Sequence, residues 1–344
     1  MSRYLFRRLM QAIPLLFAIS VLLFIIMNSI GDPVAALSDA TKPPSPEERA
    51  RLMRVLGLDE PIYMQYLYWL VGNDWKLIDR DGDGEPEGYG TRKGILRGDL
   101  GRSIVTGQPA LVPIRERLPN TLILMLPSYS LVLLVSISLG VLAAVRPYSL
   151  WDNALTAVAF IFYSMPIFLV ALGLIFIFAV GFRNWGLPYL PIAGMYDNRE
   201  PQTLGNLVRH MILPITSLVV IQAAGYMRFI RASMMESMAS DYVRTAYSKG
   251  LRQRRVVFLH VFRNASLPLI TLIGFELPFI LGGAVVTEQI FAWPGMGRLF
   301  IDSLNRADYS VLMGILMLTA VAVVSFQILT DVVYTWVDPR IKLS

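Results

Sequence analysis

Uninterrupted apolar runs alternate along the chain with charged stretches. Their length suits membrane-crossing helices, which need about 20 mostly apolar residues. The first run, Leu9 to Ile30, holds no charged side chain. It is longer than the apolar region of a secretory signal, carries Pro14, and ends at Gly31-Asp32-Pro33 without an Ala-x-Ala pattern. It reads as a retained first helix. Five more spans are predicted at Thr121 to Val145, Ala154 to Val180, Ile212 to Phe229, Leu267 to Phe291 and Val311 to Tyr334. The fourth is the shortest, and Gln222 and Gly225 are expected to break it. Pro127, Pro166 and Pro278 fall within spans, where neighbouring helices can satisfy freed carbonyls. Gly140, Ala143, Ala144, Gly282, Gly283 and Ala284 supply the small surfaces that helix packing in lipid favours.

The pattern predicts an all-α integral membrane protein with six transmembrane helices. Residues 1–30 form a cytoplasmic N-terminus and first helix, and residues 31–119 a long external segment with an acidic stretch at about 73–95. Residues 120–344 form a five-helix core with a cytoplasmic loop at about 232–266. Orientation follows from Lys and Arg in the short loops. Arg3, Arg7 and Arg8 precede the first span, Arg146 follows the second, and Arg340 and Lys342 close the chain. Between the fourth and fifth spans lie Arg231, Arg244, Lys249, Arg252, Arg254, Arg255 and Arg263, with Arg228 at the membrane edge. These fall on one side, so both termini are expected in the cytoplasm. The opposite loops are sparser, with Arg183, Arg199 and Arg209 in one and Arg298 and Arg306 in the other.

Composition agrees. Of 344 residues, 55% are hydrophobic and only 16% charged, against about 25% charged in a soluble domain, and the mean hydropathy is +0.53. The net charge of +6 belongs to membrane orientation rather than to phosphate binding, because the basic residues cluster in the inward loops. No nucleic-acid role is read. With no cysteine there is no thiolate nucleophile or Cys-type zinc site, and two histidines, His210 and His260, leave little for a His-built one.

The external segment has structure signals of its own. Ser45 is placed to cap a helix from Pro46 to about Leu56, and an aromatic-rich amphipathic helix is predicted from Ile62 to Val71. Its aromatic face suits packing on the membrane surface, on the rest of the segment, or on a partner. Further on, Asp79, Asp81 and Asp83 with Gly84 match the first half of an EF-hand calcium loop. Glu85 and Glu87 could add oxygens, but Gly90 stands where the bidentate Glu belongs. A structural Ca2+ and a solvated acidic turn both remain readings of this stretch.

In the inward loop, Asp241-Tyr242-Val243-Arg244-Thr245-Ala246-Tyr247-Ser248-Lys249-Gly250 reads as a short helix ended by glycine. Its small residues, Thr245 and Ala246, would let it sit closely in a groove on another protein. Within the spans, Glu276 is the sharpest candidate for a pathway-lining group. A charge at bilayer depth costs at least ~2.5–3.5 kcal/mol and normally faces a bundle interior. Gln222 is a weaker candidate, and Glu288 and Asp331, near span ends, read as interfacial.

The loop resembles the so-called EAA loop of binding-protein-dependent ABC transporter permeases, with Ala246 and Gly250 at the matching positions. The likeness continues through Arg254-Arg255-Val256-Val257 and Arg263-Asn264-Ala265 to Leu267-Pro268. His260-Val261-Phe262-Arg263 departs from the general pattern in the manner of the peptide/nickel branch. Three further stretches are similar to the first membrane subunit of dipeptide/oligopeptide permeases. They are Tyr4 to Leu9 with Pro14 and Gly31-Asp32-Pro33, then Gly98 to Ser103 with Arg117 to Thr121, then Gly282 to Glu288 with Phe291 to Arg298. Residues Asn73 to Ile95 look like an insertion relative to that family.

The resemblance implies the fold of a type I ABC importer permease, non-catalytic in itself. Its partners would be a second, homologous permease subunit forming a heterodimer, two ATP-binding subunits, and an external substrate-binding protein, in a bacterial or archaeal plasma membrane among lipids. ATP and Mg2+ would be bound only by the partner subunits, and the chain has no Gly-x-x-x-x-Gly-Lys-[Ser/Thr] loop. Asp241, Arg244, Thr245, Ala246, Lys249 and Gly250 would carry coupling to the ATPase. The implied substrate is a dipeptide or oligopeptide. Nickel or another small solute is the alternative within that machine, and an ion-coupled secondary transporter the alternative outside it.

Overall fold

A computed structural model describes residues 2–30, 45–79, 85–86, 88–197 and 199–337. Among these residues six helices are long and apolar enough to cross a membrane: Phe6–Ser29, Leu111–Val145, Ile167–Asn184, Leu204–Met238, Leu267–Ile290 and Tyr309–Val333. All six predicted runs are therefore helical, and four differ instructively from expectation.

The second helix starts ten residues early, at Leu111. The third run is two helices, Leu150–Ser164 and Ile167–Leu174. Met165 between them is extended (φ −85°, ψ 134°), because the ring of the following proline disfavours the α conformation at the residue before it. Beyond Leu174 the helix widens into a π-helical stretch, Ile175–Gly181, and ends as Phe182–Asn184. The fourth span, expected to be short and broken, is a continuous 35-residue helix, Leu204–Met238. Thr203 caps it by accepting from the Asn206 N–H at 3.2 Å. Gly225 marks a contact rather than a break: a Cβ there would stand 3.2 Å from the Tyr163 ring. An interior glycine costs only about 1 kcal/mol, which packing along 35 residues outweighs. Because this helix runs to Met238, Arg228 and Arg231 sit within it, and the loop expected from residue 232 begins after its end. The fifth run breaks at Gly283, whose φ of +83° turns the chain between Leu267–Gly282 and Val285–Ile290.

Two compact units share the chain. One comprises residues 119–298 and 323–344, the other 2–118 and 299–322. In the first unit, Leu111–Val145 (from Pro119 onward), Leu204–Met238, the loop helices and Leu267–Gly282 meet in a core of Tyr129, Val132, Ile230, Met234, Val256 and Val261. Glycine allows the closest approaches. A Cβ on Gly140 would lie 2.9 Å from Ile230, and one on Gly274 2.1 Å from the Thr330 hydroxyl. This is the small-residue packing that lipid-embedded helices require, since lipid supplies no hydrophobic drive to association.

The second unit packs Met27, Leu312 and Met313 with Phe24, Trp69 and Phe300. Both helices predicted between the first two spans are present, Pro46–Leu56 and Ile62–Leu70. Ser45 caps the first by accepting from the Glu48 N–H at 3.2 Å. The aromatic face of the second lies on the first span: Tyr66 meets Phe24 edge-on at 5.4 Å, and its hydroxyl hydrogen-bonds Ser20 at 2.7 Å. The motif at Gly98 to Ser103 closes on the start of the last span. Ser103 donates to the buried Asp308 carboxylate, while Asp99 accepts from the Lys93 and Gly101 N–H groups, both at 2.9 Å.

The apparent insertion is a short hairpin. Leu77–Ile78 pairs antiparallel with Gly88–Tyr89. Its base is closed by Asn73, which accepts from the Arg92 N–H at 3.0 Å, and by Arg97, bidentate to Asp74 at 2.7 Å. Gly90 belongs to this closure, since a Cβ there would stand 2.3 Å from the Asn73 side chain. The Arg97 guanidinium holds the Asp74 carboxyl below its usual range, and Glu60, aided by the Tyr68 hydroxyl, raises the Lys76 ammonium.

Candidate functional site

The helix Asp241–Ser248 stands between Leu204–Met238 and the last two spans. It has two distinct faces. Val243 and Ala246 are buried against Val256, Val257 and Val261 of the same loop. The Tyr242 and Ser237 hydroxyls hydrogen-bond each other, and Ser237 also donates to the Val261 carbonyl at 3.3 Å. Ala246 therefore does not face a partner's groove, as the sequence suggested. It is small because the loop packs on itself there. The outward face carries Asp241, Tyr242, Arg244, Thr245, Tyr247 and Lys249, all exposed. Gly250 ends the helix as expected, with φ +76° and its N–H donating to the Tyr247 carbonyl at 2.9 Å. Nothing lies within 4 Å of where its Cβ would stand, so the need for glycine is purely conformational.

Behind this loop, Asp152 is fully buried and accepts from Arg231 through two bonds of 2.6 and 2.7 Å and from the Tyr148 N–H at 2.7 Å. The guanidinium holds its carboxyl below the ordinary value. Sequence reading missed this pair: Arg231 counted as a loop charge and Asp152 did not stand out.

A cavity of about 550 Å³ opens in the same unit, lined by Tyr163, Gln222, Gly225, Tyr226, Arg228, Leu272 and Glu276 among others. The two residues singled out as pathway candidates, Glu276 and Gln222, thus line one space although they come from different spans. Arg228 shares it, its guanidinium 4.6 Å from the Phe160 ring centroid and 4.3 Å from that of Tyr163. The Tyr226 hydroxyl hydrogen-bonds that of Tyr129 at 2.8 Å. Arg228, read from the sequence only as a membrane-edge charge, lines this cavity as well. The available signal was an ionisable side chain inside a helix long enough to continue past it.

The stretch Gly282 to Arg298 forms a knot around Glu288. Its carboxylate, read as interfacial, is instead wholly buried. One oxygen accepts from the Thr121 hydroxyl and the other from the Arg298 N–H, both at 3.0 Å. Thr121 in turn accepts from the Met296 N–H at 2.7 Å, so two orphan amides at the start of Met296–Asn305 are satisfied by side chains. A Cβ on Gly295 would lie 2.4 Å from that carboxylate. Trp293, fully buried, donates its indole N–H to the Asn120 carbonyl at 2.9 Å. The glycines and aromatics of this stretch exist to wrap one buried acid.

Among the described residues no cluster of three or more acids and histidines could hold a metal ion. Of the calcium-loop candidates, Asp81, Asp83 and Glu87 lie outside the described residues, while Asp79 and Glu85 are within them.

Comparison with known proteins assigns this arrangement of a two-faced loop helix and a buried knot to a family. Residues 136–343 match the family described as binding-protein-dependent transport system inner membrane component, and residues 1–125 match the N-terminal model of such components. The chain belongs to that family. This permease component is 39% identical to the oligopeptide transport system permease protein AppB of Bacillus subtilis, covering 99% of this chain and all of that one. It is 36% identical to the dipeptide transport system permease protein DppB of Escherichia coli K12 over 99% of both chains. The di/tripeptide transport system permease protein DppB of Pseudomonas aeruginosa is 34% identical over 99% of each. The permease is thus a multi-pass membrane component that works with other ABC subunits and a substrate-binding protein.

Proposed function

We propose that the chain is one of two unlike permease subunits of an ATP-driven importer of short peptides, and that it forms half of the translocation pathway. The observation that carries this is end-to-end similarity to relatives named for oligopeptide and dipeptide transport, joined to an exposed loop-helix face free for a partner. Both termini and the loop around Asp241–Ser248 lie in the cytoplasm, as the distribution of Lys and Arg favours.

Two ATP-binding subunits supply the hydrolysis, since this chain has no phosphate loop of its own. Asp241, Arg244, Thr245 and Lys249 dock on the ATPase, with the flanking tyrosines, while Ala246 packs the helix from behind and Gly250 ends it. Closure of the ATPase pair pulls the helix, and the loop core transmits the pull into Leu204–Met238 and Leu267–Gly282. Such a lever needs no chemistry, only a differential fit of its two states to the partner.

The test is purification of the native complex followed by reconstitution into vesicles. Recovery of a second permease and an ATPase, with hydrolysis rising when peptide-loaded binding protein is added and labelled dipeptide accumulating inside, is the expected result. Uptake of peptide by this chain alone, with no ATP-binding subunit present, would overturn the proposal.

A further inference from the structure

The cavity beside Leu204–Met238 is lined by a carboxyl group, Glu276, and a guanidinium, Arg228, that are not paired with each other. Among the described residues no ion pair joins Glu276 to Arg228 and none of the hydrogen bonds uses the Arg228 guanidinium. The guanidinium lies instead over the rings of Phe160 and Tyr163, 4.6 and 4.3 Å from their centroids. A cation–π contact does not use the N–H donors of a guanidinium, which remain for a planar acceptor such as a carboxylate. Glu276, on Leu267–Gly282, has the Tyr226 hydroxyl as its partner. Ionisable groups inside spans are costly and normally face a substrate path. A guanidinium and a carboxyl group lining one space of about 550 Å³ suit a ligand with an anionic and a cationic end. That volume lies within the ~300–1,000 Å³ of small-molecule sites.

We propose that this cavity is a transit subsite for the charged ends of a short peptide, Glu276 receiving the terminal ammonium and Arg228 the terminal carboxylate. The inference rests on the peptide-import reading and adds where, and by which chemistry, the permease holds its cargo. Gln222 lines the same space and offers one amide donor pair and one acceptor to the peptide bond. Only groups common to every peptide are contacted, so the subsite accepts cargo regardless of side chain. A zwitterion satisfies both groups at once, and when it leaves they revert to water and to Tyr226, which keeps the site from becoming a trap.

The experiment uses the complete transporter in vesicles. Glu276→Gln and Arg228→Gln are expected to reduce dialanine uptake about tenfold, as loss of one charge-assisted bond implies. Glu276→Asp and Arg228→Lys should keep most of it, and binding-protein-stimulated ATP hydrolysis should persist in all four. Because the chain has no cysteine, Gln222→Cys provides a direct reporter on this subunit, read by mass. Millimolar dialanine should slow maleimide labelling of that cysteine, while N-acetyl-dialanine amide, which lacks both charges, should not. Equal labelling with free and capped dipeptide, or unchanged uptake in both Gln variants, would overturn the subsite. So would loss of uptake and ATP hydrolysis together in the Asp and Lys variants, which assigns the pair to architecture. If the unsubstituted complex imports no peptide, the peptide reading itself falls and the subsite with it.

Discussion

Single buried side chains hold the permease in shape, and Glu288 is the clearest of them. Its two oxygens serve Thr121 and the Arg298 N–H, 167 and 10 residues away. Glu288→Ala would leave buried donors without acceptors, at about 1–3 kcal/mol each. The melting temperature of the purified complex should fall clearly, and Glu288→Gln, which retains one acceptor oxygen, should fall less; equal melting of all three would refute the knot. Asp152 makes a pH-dependent prediction. Its folded carboxyl titrates below the unfolded value of about 3.9 because of Arg231. The pair's contribution is therefore complete above about pH 4 and is lost as pH falls through the lower, folded value. Asp152→Asn should cost about 1.5–3 kcal/mol at neutral pH, as for bonds to a charged group. The gap between variant and parent, followed by denaturation at stepped pH, should stay level down to about pH 5 and close only in stronger acid.

At the scale of the element, the helix Asp241–Ser248 separates two demands that its sequence superimposes. Its outer face meets a partner and its inner face builds the loop. Ala246→Leu should thus damage the chain itself: less folded complex and a lower melting temperature, with or without the ATPase. Gly250 tests conformation alone, because the space around it is open. A β-branched residue at φ +76° is strained by about 1–2 kcal/mol, whereas Asn tolerates that region. Peptide imported per ATP hydrolysed should be near normal for Gly250→Asn and reduced for Gly250→Val; the reverse order would argue that side-chain bulk, not backbone, is what glycine supplies. The helices also show how punctuation is read. Pro166 ended a helix because its ring acts on its immediate neighbour, a local effect. Gly225 did not, because its modest cost was outweighed by a Tyr163 contact arriving from another helix.

For the whole molecule, the decisive fact is a surface that water cannot solvate. Leu150, Phe176 and Phe6 are 88%, 70% and 64% exposed, and such side chains ring the long helices. Lipid and partner subunits must cover them. Vesicles holding this chain without the ATP-binding subunits should accumulate dipeptide no faster than protein-free vesicles, and adding the partners should restore ATP-dependent uptake. Accumulation against a gradient by the single chain would end the account.

The number of spans, the loop helix with its glycine end, and the two helices ahead of the hairpin were legible in the sequence. Each depends on neighbours in the chain: apolar length against bilayer thickness, a cap three residues from its amide, a backbone angle that glycine reaches. What the order of residues left open was decided by contacts between distant elements. Pattern alone left Glu288 interfacial, turned Ala246 outward, and did not bring Arg228 into one cavity with Glu276, because burial, facing and contact belong to the packed chain. Thr121 and Glu288, or Asp152 and Arg231, become partners only when helices far apart in sequence lie side by side.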